Sequence, residues 1–265
     1  MRTDASVPPS LATALETLRA RGLEMRRGSE EPMPERGRPS VPTGHSTLDA
    51  ALGTGWPRGA LTLLDGPAGS GGTTLALGAL AACQAPGGLA AWLDLDGTFD
   101  AAVAARLGVN LEWLLVARPR DPGEAVDLAA WLGRSGLIDA MVFDFGLRAA
   151  PDRRALDRFG ALLARSGTTA ALLLSPAGRS VAGAVAGVRL ALRRTAWLAV
   201  GSDLVGQRVH ASVERHRWSQ PGGTAELDLW FADGRRTDSL APALAEPRDI
   251  EVIAVERAAL RVVSA

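Results

Sequence analysis

Residues 60–74 read ALTLLDGPAGSGGTT, a short apolar run that leads directly into a glycine-rich loop. The loop follows the pattern G-x-x-x-x-G-K-[ST], in which backbone N–H groups wrap the phosphates and the lysine reaches the β and γ oxygens. Gly66 and Gly71 hold the outer glycine positions, and Thr73 stands where the magnesium-binding hydroxyl belongs. Gly72 occupies the position of the lysine. The stretch therefore predicts a strand, a phosphate loop and a helix, with the loop lacking its cation.

The segments that follow this loop alternate between apolar runs and helical patterns. The predicted strands are 60–65, 89–96, 111–117, 139–145 and 169–175, and the predicted helices begin near residues 73, 98, 124 and 155. Strands that alternate with helices predict an α/β fold with a mostly parallel sheet and helices on both faces. After residue 186 come the strand-like runs VRLALRR, AWLAVGS, RVHASVER and AELDLWF, with QPGG at 220–223 as a turn. These runs predict antiparallel strands that complete the sheet.

The alternating pattern predicts a core that spans residues 41–240, and the two ends of the chain differ from it in composition and hydrophobic pattern. Residues 10–22, SLATALETLRARG, form a short helical pattern, and residues 26–40 are rich in Pro, Gly and charge, as expected of a linker. Residues 1–40 therefore predict a helical arm, and such a short helix must dock on its own core or on another protein. Residues 241–265 carry little pattern beyond a possible strand at EVIAV.

Composition limits the classes of function. The chain has 265 residues, is 47% hydrophobic and has a formal net charge of +0, so it can form one sizeable core and has no overall field for nucleic acid or membrane. All 29 residues counted as lysine or arginine are arginine, and arginine at position 72 would have kept the charge that glycine removes. The single cysteine, Cys83, is interpreted as a buried apolar residue. With no signal-peptide pattern and no run of about 18 apolar residues, we expect a cytoplasmic protein without a membrane span.

Several motifs in this order resemble the RecA recombinase core, from about residue 10 to about residue 232. The stretch VPTGHSTLDAALGTGWPRGALTLLDGPAGSGGTT is similar to the RecA segment that leads into its phosphate loop, and LGRSGLIDAMVFDF is similar to the RecA segment that ends in the magnesium-binding aspartate. The runs GVRLALRR, VGSDLVGQRVHASVER and AELDLWFADG follow in the same order. The resemblance implies a RecA-like core with an N-terminal helical arm. In RecA that arm packs on the neighbouring subunit, so Leu11, Leu15 and Leu18 are candidate partner-binding residues.

The resemblance assigns the nucleotide site to named positions, and several of them depart from the family. The candidate phosphate and magnesium residues are Gly66, Gly69, Gly71, Gly72, Thr73, Thr74 and Asp144, with Thr73 and Asp144 as the two magnesium candidates. Asp96 stands at the position of the catalytic glutamate and is one methylene shorter. Pro176 replaces the glutamine that senses the γ-phosphate and has no side-chain hydrogen bond to offer. Alternatively, Thr73 is simply an N-terminal residue of the helix and Asp144 an acid that is hydrogen-bonded to Thr73, and neither alternative needs a metal.

The parts of RecA that bind DNA and the neighbouring nucleotide are altered as well. The two loops that carry DNA in the family correspond to residues 146–154 and 176–187, and both are short here. Their arginines, which are candidate DNA contacts or simply solvated charges, are Arg148, Arg153, Arg154 and Arg179. Near VERHR, where RecA has two lysines that reach the neighbour's phosphates, this chain has Glu214, Arg215 and His216. We therefore expect weak or no direct DNA binding.

Two classes of function compete on this reading. The first is a non-catalytic RecA-like protein with a degenerate phosphate loop, most like the ImuA group. For such a protein we expect no cofactor, and weak or no binding of ATP and magnesium. Its partners would be RecA or an error-prone polymerase subunit, with self-association through the N-terminal helix as a further option. The second is an ATP-binding RecA-family repair ATPase with an altered loop. A cell-division inhibitor of the SulA type is a further alternative, although those chains are usually shorter. Among the tryptophans, Trp218 and Trp230 are predicted to be the surface aromatics.

Overall fold

A computed structural model describes residues 39–145, 152–167, 169–175, 185–231 and 251–254. The strands are β1 (Ser40–Val41), β2 (Trp56–Pro57), β3 (Ala60–Asp65), β4 (Ala90–Asp94), β5 (Leu114–Ala117), β6 (Ala140–Asp144), β7 (Ala170–Ser175), β8 (Val188–Val200), β9 (Asp203–His216), β10 (Thr224–Trp230) and β11 (Glu251–Ala254). The helices are α1 (Ser46–Leu52), α2 (Gly72–Gln84), α3 (Ala101–Arg106), α4 (Pro122–Ser135) and α5 (Arg153–Ser166), with a 3-10 turn at Leu111–Trp113.

The main sheet confirms the predicted α/β architecture. Its strands lie in the order β10-β9-β8-β3-β7-β6-β4-β5, and β11 pairs with β8 beside this path. The pairs from β8 through β3 to β5 are parallel, whereas β8 with β9 and β9 with β10 are antiparallel. Strands β1 and β2 form a separate two-stranded sheet. The phosphate loop follows β3 and is thus at the centre of the sheet, beside the change from parallel to antiparallel pairing.

Two apolar clusters cover the two faces of the sheet. The first contains α2, with α1 and part of α3, and it continues over the inner faces of β8, β9 and β10. The second contains α4 and α5 against β3, β4, β6 and β7. Alternation within each strand divides its side chains between the faces, so that Met141 and Phe143 join the second cluster and Val142 joins the first. Helices on both faces are therefore confirmed.

Local sequence signals explain where the helices begin and end. The carboxylate of Asp121 accepts a hydrogen bond from the N–H of Glu124 at the start of α4, and the helix ends at Gly136 in the left-handed conformation. Asp100 caps α3 in the same way, accepting from the N–H groups of Ala102 and Val103. The predicted helix starts near 124 and 155 are each about one turn or less too late, because proline or arginine occupies the true first position.

The antiparallel part of the sheet differs from the prediction in one respect. Residues 188–194 and 196–202 were expected to form two strands, but β8 runs without interruption through Val200. A shift in its register with β9 lies between Arg194 and Ala196, so one extra residue is accommodated in a β-bulge. The QPGG turn joins β9 to β10 as expected, with Gly222 at φ +101°. Within the C-terminal segment, β11 pairs in parallel with Ala196–Ala199 of β8.

The prediction for the surface tryptophans was wrong. Trp218 packs partly buried against the first cluster and Trp230 is half-buried, whereas Trp131 is 61% exposed and Trp113 is 50% exposed. Trp131 lies on the solvent side of α4, where the helical pattern left it outside the apolar face. Cys83 is 2% exposed and unbridged, as predicted for an apolar core residue. Burial, followed by the nearby Asp139 carboxylate, raises the pKa of its thiol to about 11.

Candidate phosphate-binding site

The glycine-rich loop leaves β3 after Asp65 and enters α2 at Gly72. Gly69 and Gly71 have φ values of +78° and +94°, which strongly favour glycine. Gly71 directly precedes the helix and, having no side chain, gives the first turn of α2 no side-chain cap. The N–H groups of a first helical turn have no partner within the helix and carry partial positive charge. The loop and the start of α2 therefore present hydrogen-bond donors at the end of β3.

These donors border an open cavity of about 190 Å³. Its lining residues are Leu64, Gly66, Pro67, Ala68, Gly69, Ser70, Gly71, Gly72, Thr73, Thr74, Asp144, Leu174 and Gln207. All seven candidate phosphate and magnesium residues thus lie around one space. Cavities that enclose a small-molecule ligand usually measure about 300 to 1,000 Å³, so this one has room for a phosphate group and not for a whole enclosed nucleotide.

The two central glycines of the loop differ in the space around them. A Cβ atom on Gly71 would lie 2.5 Å from Leu229 Cδ1, 3.2 Å from Gln207 Nε2 and 3.2 Å from Val209 Cγ2, so a side chain does not fit there. A Cβ atom on Gly72 would meet only ordinary contacts, at 3.5 Å from Leu174 and 3.7 Å from Leu192. Packing therefore requires glycine at position 71, whereas nothing in the described structure requires it at position 72.

An arginine from another strand approaches the loop from outside the motif. Arg194 of β8 places its Nη1 atom 3.5 Å from the point where a Cβ on Gly69 would lie. Its guanidinium carbon also lies 3.9 Å from the ring centroid of Trp197, as in a cation–π contact. Pattern reading did not single out Arg194, because it is the second of two arginines in a strand with no spacing relation to the loop. The side chain brings a positive charge to the side of the loop that faces β8.

The residues present fit a bound magnesium nucleotide only in part. Thr73 and Asp144 both line the cavity, and one carboxylate with a hydroxyl is a usual protein contribution to magnesium bound together with phosphates. The lysine that would balance the β and γ phosphates is absent, and a triphosphate would face the Asp144 carboxylate without it. Over the described residues, no group of three or more His, Cys, Asp or Glu side chains could hold a metal ion by itself. The donor set therefore contains the two magnesium candidates and lacks the cation of the motif.

The predicted catalytic carboxylate is not among the residues that line this cavity. Asp96 is exposed and does not belong to the lining, although the structure describes it. The neighbouring acid, Asp94, is fully buried at the end of β4 and accepts hydrogen bonds from the N–H groups of Thr98 and Phe99. Arg118 approaches it at 3.5 Å. Asp94 shapes the loop that carries Asp96, a structural role that the alternating acids of WLDLD did not reveal.

Only two of the four arginines that are candidate DNA contacts lie within the described residues. Arg153 and Arg154 are exposed at the start of α5, and Arg153 forms an ion pair of 3.6 Å with Asp157 one turn later. Arg148, Arg179 and Pro176 lie outside the described residues, as do Leu11, Leu15 and Leu18. Ion pairs at i,i+4 are ordinary on a helix surface, and exposed arginines suit solvated charges and DNA contacts alike, so both alternatives stay predictions.

The residues at the position of RecA's interface lysines lie at the end of β9. Glu214 pairs with Arg189 of β8 at 3.1 Å, so this position carries a charge already engaged within the chain. His216 lies edge-on to Trp218, with ring centroids 6.1 Å apart, and accepts a hydrogen bond from the backbone N–H of Trp218. Arg215 is exposed beside them.

Comparison with known proteins agrees with this geometry. Residues 16–186 match the family model described as the RecA N-terminal domain. The chain belongs to the RecA family. It is 35% identical over 248 residues to Protein RecA of Frankia casuarinae, covering 81% of this chain and 71% of that protein. It is 33% identical over 277 residues to Protein RecA of Thermus thermophilus, covering 90% of this chain and 80% of that protein.

A solved structure supports the fold of this RecA-family chain. The RadB recombinase matches with a TM-score of 0.56 and 22% identity, over 70% of this chain and 94% of that one. At this identity the match establishes the α/β architecture alone. None of the helices in the described ranges is both long enough and apolar enough to span a membrane.

Proposed function

We propose that this RecA-family chain is a non-catalytic protein of the bacterial DNA-damage response that acts by binding other proteins, as in the ImuA group. Its partner is RecA or a subunit of an error-prone polymerase complex, and its location is the cytoplasm. The observation that supports this most directly is the loop cavity, where Gly72 stands in place of the lysine while packing leaves room for a side chain. Phosphate loops rely on that cation for β and γ phosphates, so we interpret the motif as degenerate.

The loss of the cation reduces binding and turnover together. A single preorganised charge contact at a phosphoryl-transfer site is worth about 3 to 4 kcal/mol in the transition state. A general base must lie within hydrogen-bond reach of the attacking water, and we propose that Asp96, which is exposed and not among the cavity-lining residues, does not serve as one. We therefore propose that magnesium–ATP binds weakly or not at all and is not hydrolysed.

An exposed edge of the sheet supports a role in protein binding. Strand β5 ends the sheet at the side away from β10, and it pairs only with β4 among the described strands. Its apolar side chains are unusually exposed, with Leu115 at 42% and Val116 at 38%, and Trp113 lies directly before it. We call Leu111, Trp113, Leu115 and Val116 the β5 edge surface. An open strand flanked by apolar side chains can accept an extended segment from a partner.

The N-terminal arm and the β5 edge surface then have complementary roles in this proposal. The N-terminal arm, with Leu11, Leu15 and Leu18, inserts into RecA as RecA's own arm does into its neighbour. The β5 edge surface accepts a segment from RecA or from a polymerase subunit. A protein that offers both contacts and hydrolyses nothing would cap or modulate a filament of RecA. The arm also allows self-association, and the weak or absent DNA binding that we propose leaves recognition to protein contacts.

Binding to purified partners tests this proposal. Immobilised chain should retain RecA or a purified polymerase subunit, and deletion of residues 1–25 should abolish that retention. Leu115→Asp should weaken binding at the β5 edge surface by about tenfold or more, the effect expected for a central apolar contact of more than 1.4 kcal/mol. Leu137→Asp is the matched control, because Leu137 is an exposed leucine outside this surface. Binding that survives both the deletion and Leu115→Asp contradicts the proposed mode of interaction.

The competing candidate is a RecA-family ATPase with an altered loop. Thr73 and Asp144 favour it, since both line the cavity where magnesium would be held. ATP turnover by the pure protein, with and without single-stranded DNA, separates the two. A thermal-shift titration with magnesium–ATP adds an equilibrium measurement, since a ligand at about 100 times its Kd stabilises a fold by about 2.7 kcal/mol. We expect no turnover and no such stabilisation at millimolar nucleotide, and turnover would establish the ATPase instead.

A further inference from the structure

The edge of β8 that faces β3 is shared by three segments of the chain. β3 pairs with residues 188–191 of β8, and the short C-terminal strand β11 pairs with residues 196–199. The glycine-rich loop passes between these two strands, since a Cβ atom on Gly66 would lie 2.6 Å from the backbone oxygen of Leu192. Both strands run parallel to β8, whose other edge is paired with β9 from end to end. Strand β11 therefore continues the line of β3 beyond the loop.

The part of this edge that β11 covers is suited to hold an extended segment. Ala196, Leu198 and Ala199 of β8 are all buried, so this part of the strand is fixed within the packed sheet. Among the described strands, β11 alone supplies ladder partners there, because the pairing with β3 ends at Ala191. A strand edge with unpaired N–H and C=O groups is a template for pairing with another strand. Release of β11 would expose such a template.

Strand β11 is held by few interactions between backbones. It has four residues, Glu251–Ala254, and within the described structure it pairs with β8 only. Parallel pairing is slightly less stable per residue than antiparallel pairing. β3, in contrast, has six residues and lies between two strands, β7 and β8. A short strand at an edge opens by local unfolding at a smaller free-energy cost than a central strand.

We propose that the edge of β8 at residues 196–199 is a docking site for an extended, apolar segment of another protein, and that β11 is its built-in competitor. The segment seated there, Glu-Val-Ile-Ala, shows the chemistry that fits: β-branched and small apolar residues that run parallel to β8. The partner would bind by strand addition, with the ladder hydrogen bonds that β11 now makes. This docking site differs from the β5 edge surface, and the inference does not depend on the proposed function.

The tether explains why β11 acts as a competitor. A segment of the same chain meets its site at an effective concentration of about millimolar, so it excludes a weaker free segment. The apparent Kd of a partner equals its intrinsic Kd divided by the fraction of molecules with an open edge. If one molecule in ten or fewer is open, release of β11 tightens binding of a partner about tenfold or more.

A peptide of residues 248–257, RDIEVIAVER, is the probe, because its register on β8 is known. Fluorescence anisotropy of the labelled peptide is measured against the full chain. Wild type should bind it weakly. The variant Val252→Pro/Ile253→Pro removes two N–H groups from β11 and should bind at least tenfold more tightly. Ala245→Pro, which places proline before the strand, is the matched control and should bind like wild type.

Amide hydrogen exchange of the wild-type chain tests the opening of β11 without any variant. The N–H groups of residues 196–199 that point away from β9 should have protection factors at least tenfold lower than those of residues 188–191 that point to β3. Equal protection of the two groups overturns the proposal. Equal peptide affinity of wild type and Val252→Pro/Ile253→Pro overturns it as well, and if that variant does not fold, the exchange measurement decides.

A cysteine pair identifies the strand that competes. Ala199 and Ala254 are paired in the ladder, so Ala199→Cys/Ala254→Cys, combined with Cys83→Ala, should form a disulfide within one chain. The oxidised protein should not bind the peptide, and reduction should restore the weak binding of wild type. A disulfide between two chains would assign β11 to a second copy and overturn its role as a competitor within the chain. Undiminished peptide binding by the oxidised protein would show that the peptide binds elsewhere, which also contradicts the proposal.

Discussion

Replacing Gly72 with lysine should convert the loop into a tighter site for magnesium–ATP without restoring hydrolysis. The first atom of the new side chain meets only Leu174 at 3.5 Å and Leu192 at 3.7 Å, so the backbone need not move. Gly72 is the first residue of α2 and has no positive φ, in contrast to Gly71. Lysine is also a better helix residue than glycine by up to about 1 kcal/mol, so the free energy of unfolding should stay the same or rise slightly.

The gain in affinity follows from the type of contact that is added. A hydrogen bond between charged groups contributes about 1.5 to 3 kcal/mol, which corresponds to about a 10- to 100-fold lower Kd for magnesium–ATP. Turnover should remain absent, because the change does not bring the exposed Asp96 into the cavity. Calorimetric titration with a non-hydrolysable ATP analogue measures the affinity, and phosphate release measures the turnover.

The matched control is Gly72→Met, which adds an unbranched side chain without charge. If the lysine and methionine variants bind the nucleotide equally, the missing cation is not what limits binding, and the degenerate-loop interpretation is wrong. The same holds if wild type already binds as tightly as Gly72→Lys. Tight binding by the lysine variant together with turnover would show that Asp96 can still serve the reaction.

Two further predictions concern stability. Gly71→Ala should lower the free energy of unfolding by about 2 to 4 kcal/mol in urea, because the methyl group collides with Leu229 at positive φ; Gly87→Ala, with φ +93° and open space, should cost only about 1 to 2 kcal/mol. From pH 9 to 11 stability should fall by about 2 to 3 kcal/mol, because unfolding lets the Cys83 thiol ionise, and Cys83→Ala should remove this slope.

The composition of the chain makes the predicted loss of stability between pH 9 and pH 11 easy to assign to one side chain. The chain has no lysine and no tyrosine, and arginine keeps its proton well above pH 11. Cys83 is therefore the side chain expected to titrate between pH 9 and pH 11. The folded state holds the thiol proton more tightly than the unfolded state, since burial raises the pKa to about 11 from 9.0. Stability is thus complete below pH 9 and declines as pH rises toward 11.

The parallel half of the sheet was predictable because each of its strands has a recognisable local sequence pattern. Strands such as β3 and β6 are short apolar runs between turn residues, and the helices between them carry clear caps at Asp121 and Asp152. The long strand β8 was not predictable in the same way. The polar residues Arg193–Thr195 resemble a break between two strands, yet pairing with β9 carries the strand through them by means of a bulge. At these residues the pairing with β9, and not the local strand preference of the sequence, determines that the strand continues.

The residues of the candidate site also divide into those that local patterns identify and those that only strand pairing brings to the loop. The loop residues 66–74 are contiguous, so pattern reading located all of them, and Asp144 followed from its position at the end of a strand. Gln207 and Arg194 lie far along the chain and reach the loop only because β8 lies beside β3 and β9 beside β8. Neither has a spacing to the loop that a motif could encode. A pattern therefore identifies the cavity but misses the side chains contributed by neighbouring strands.

The loop glycines by themselves say little about what the cavity binds. Gly71 is fixed by Leu229 and Val209, and a Cβ on Gly66 would lie 2.6 Å from the backbone oxygen of Leu192, so packing against β8, β9 and β10 demands both glycines with or without a ligand. A loop of this kind can persist in a protein that no longer binds nucleotide. The informative position is the one that packing leaves open, Gly72, where the lysine is absent although a side chain would fit. The proposed loss of ATP chemistry depends on that position, and the variants Gly72→Lys and Gly72→Met test it directly.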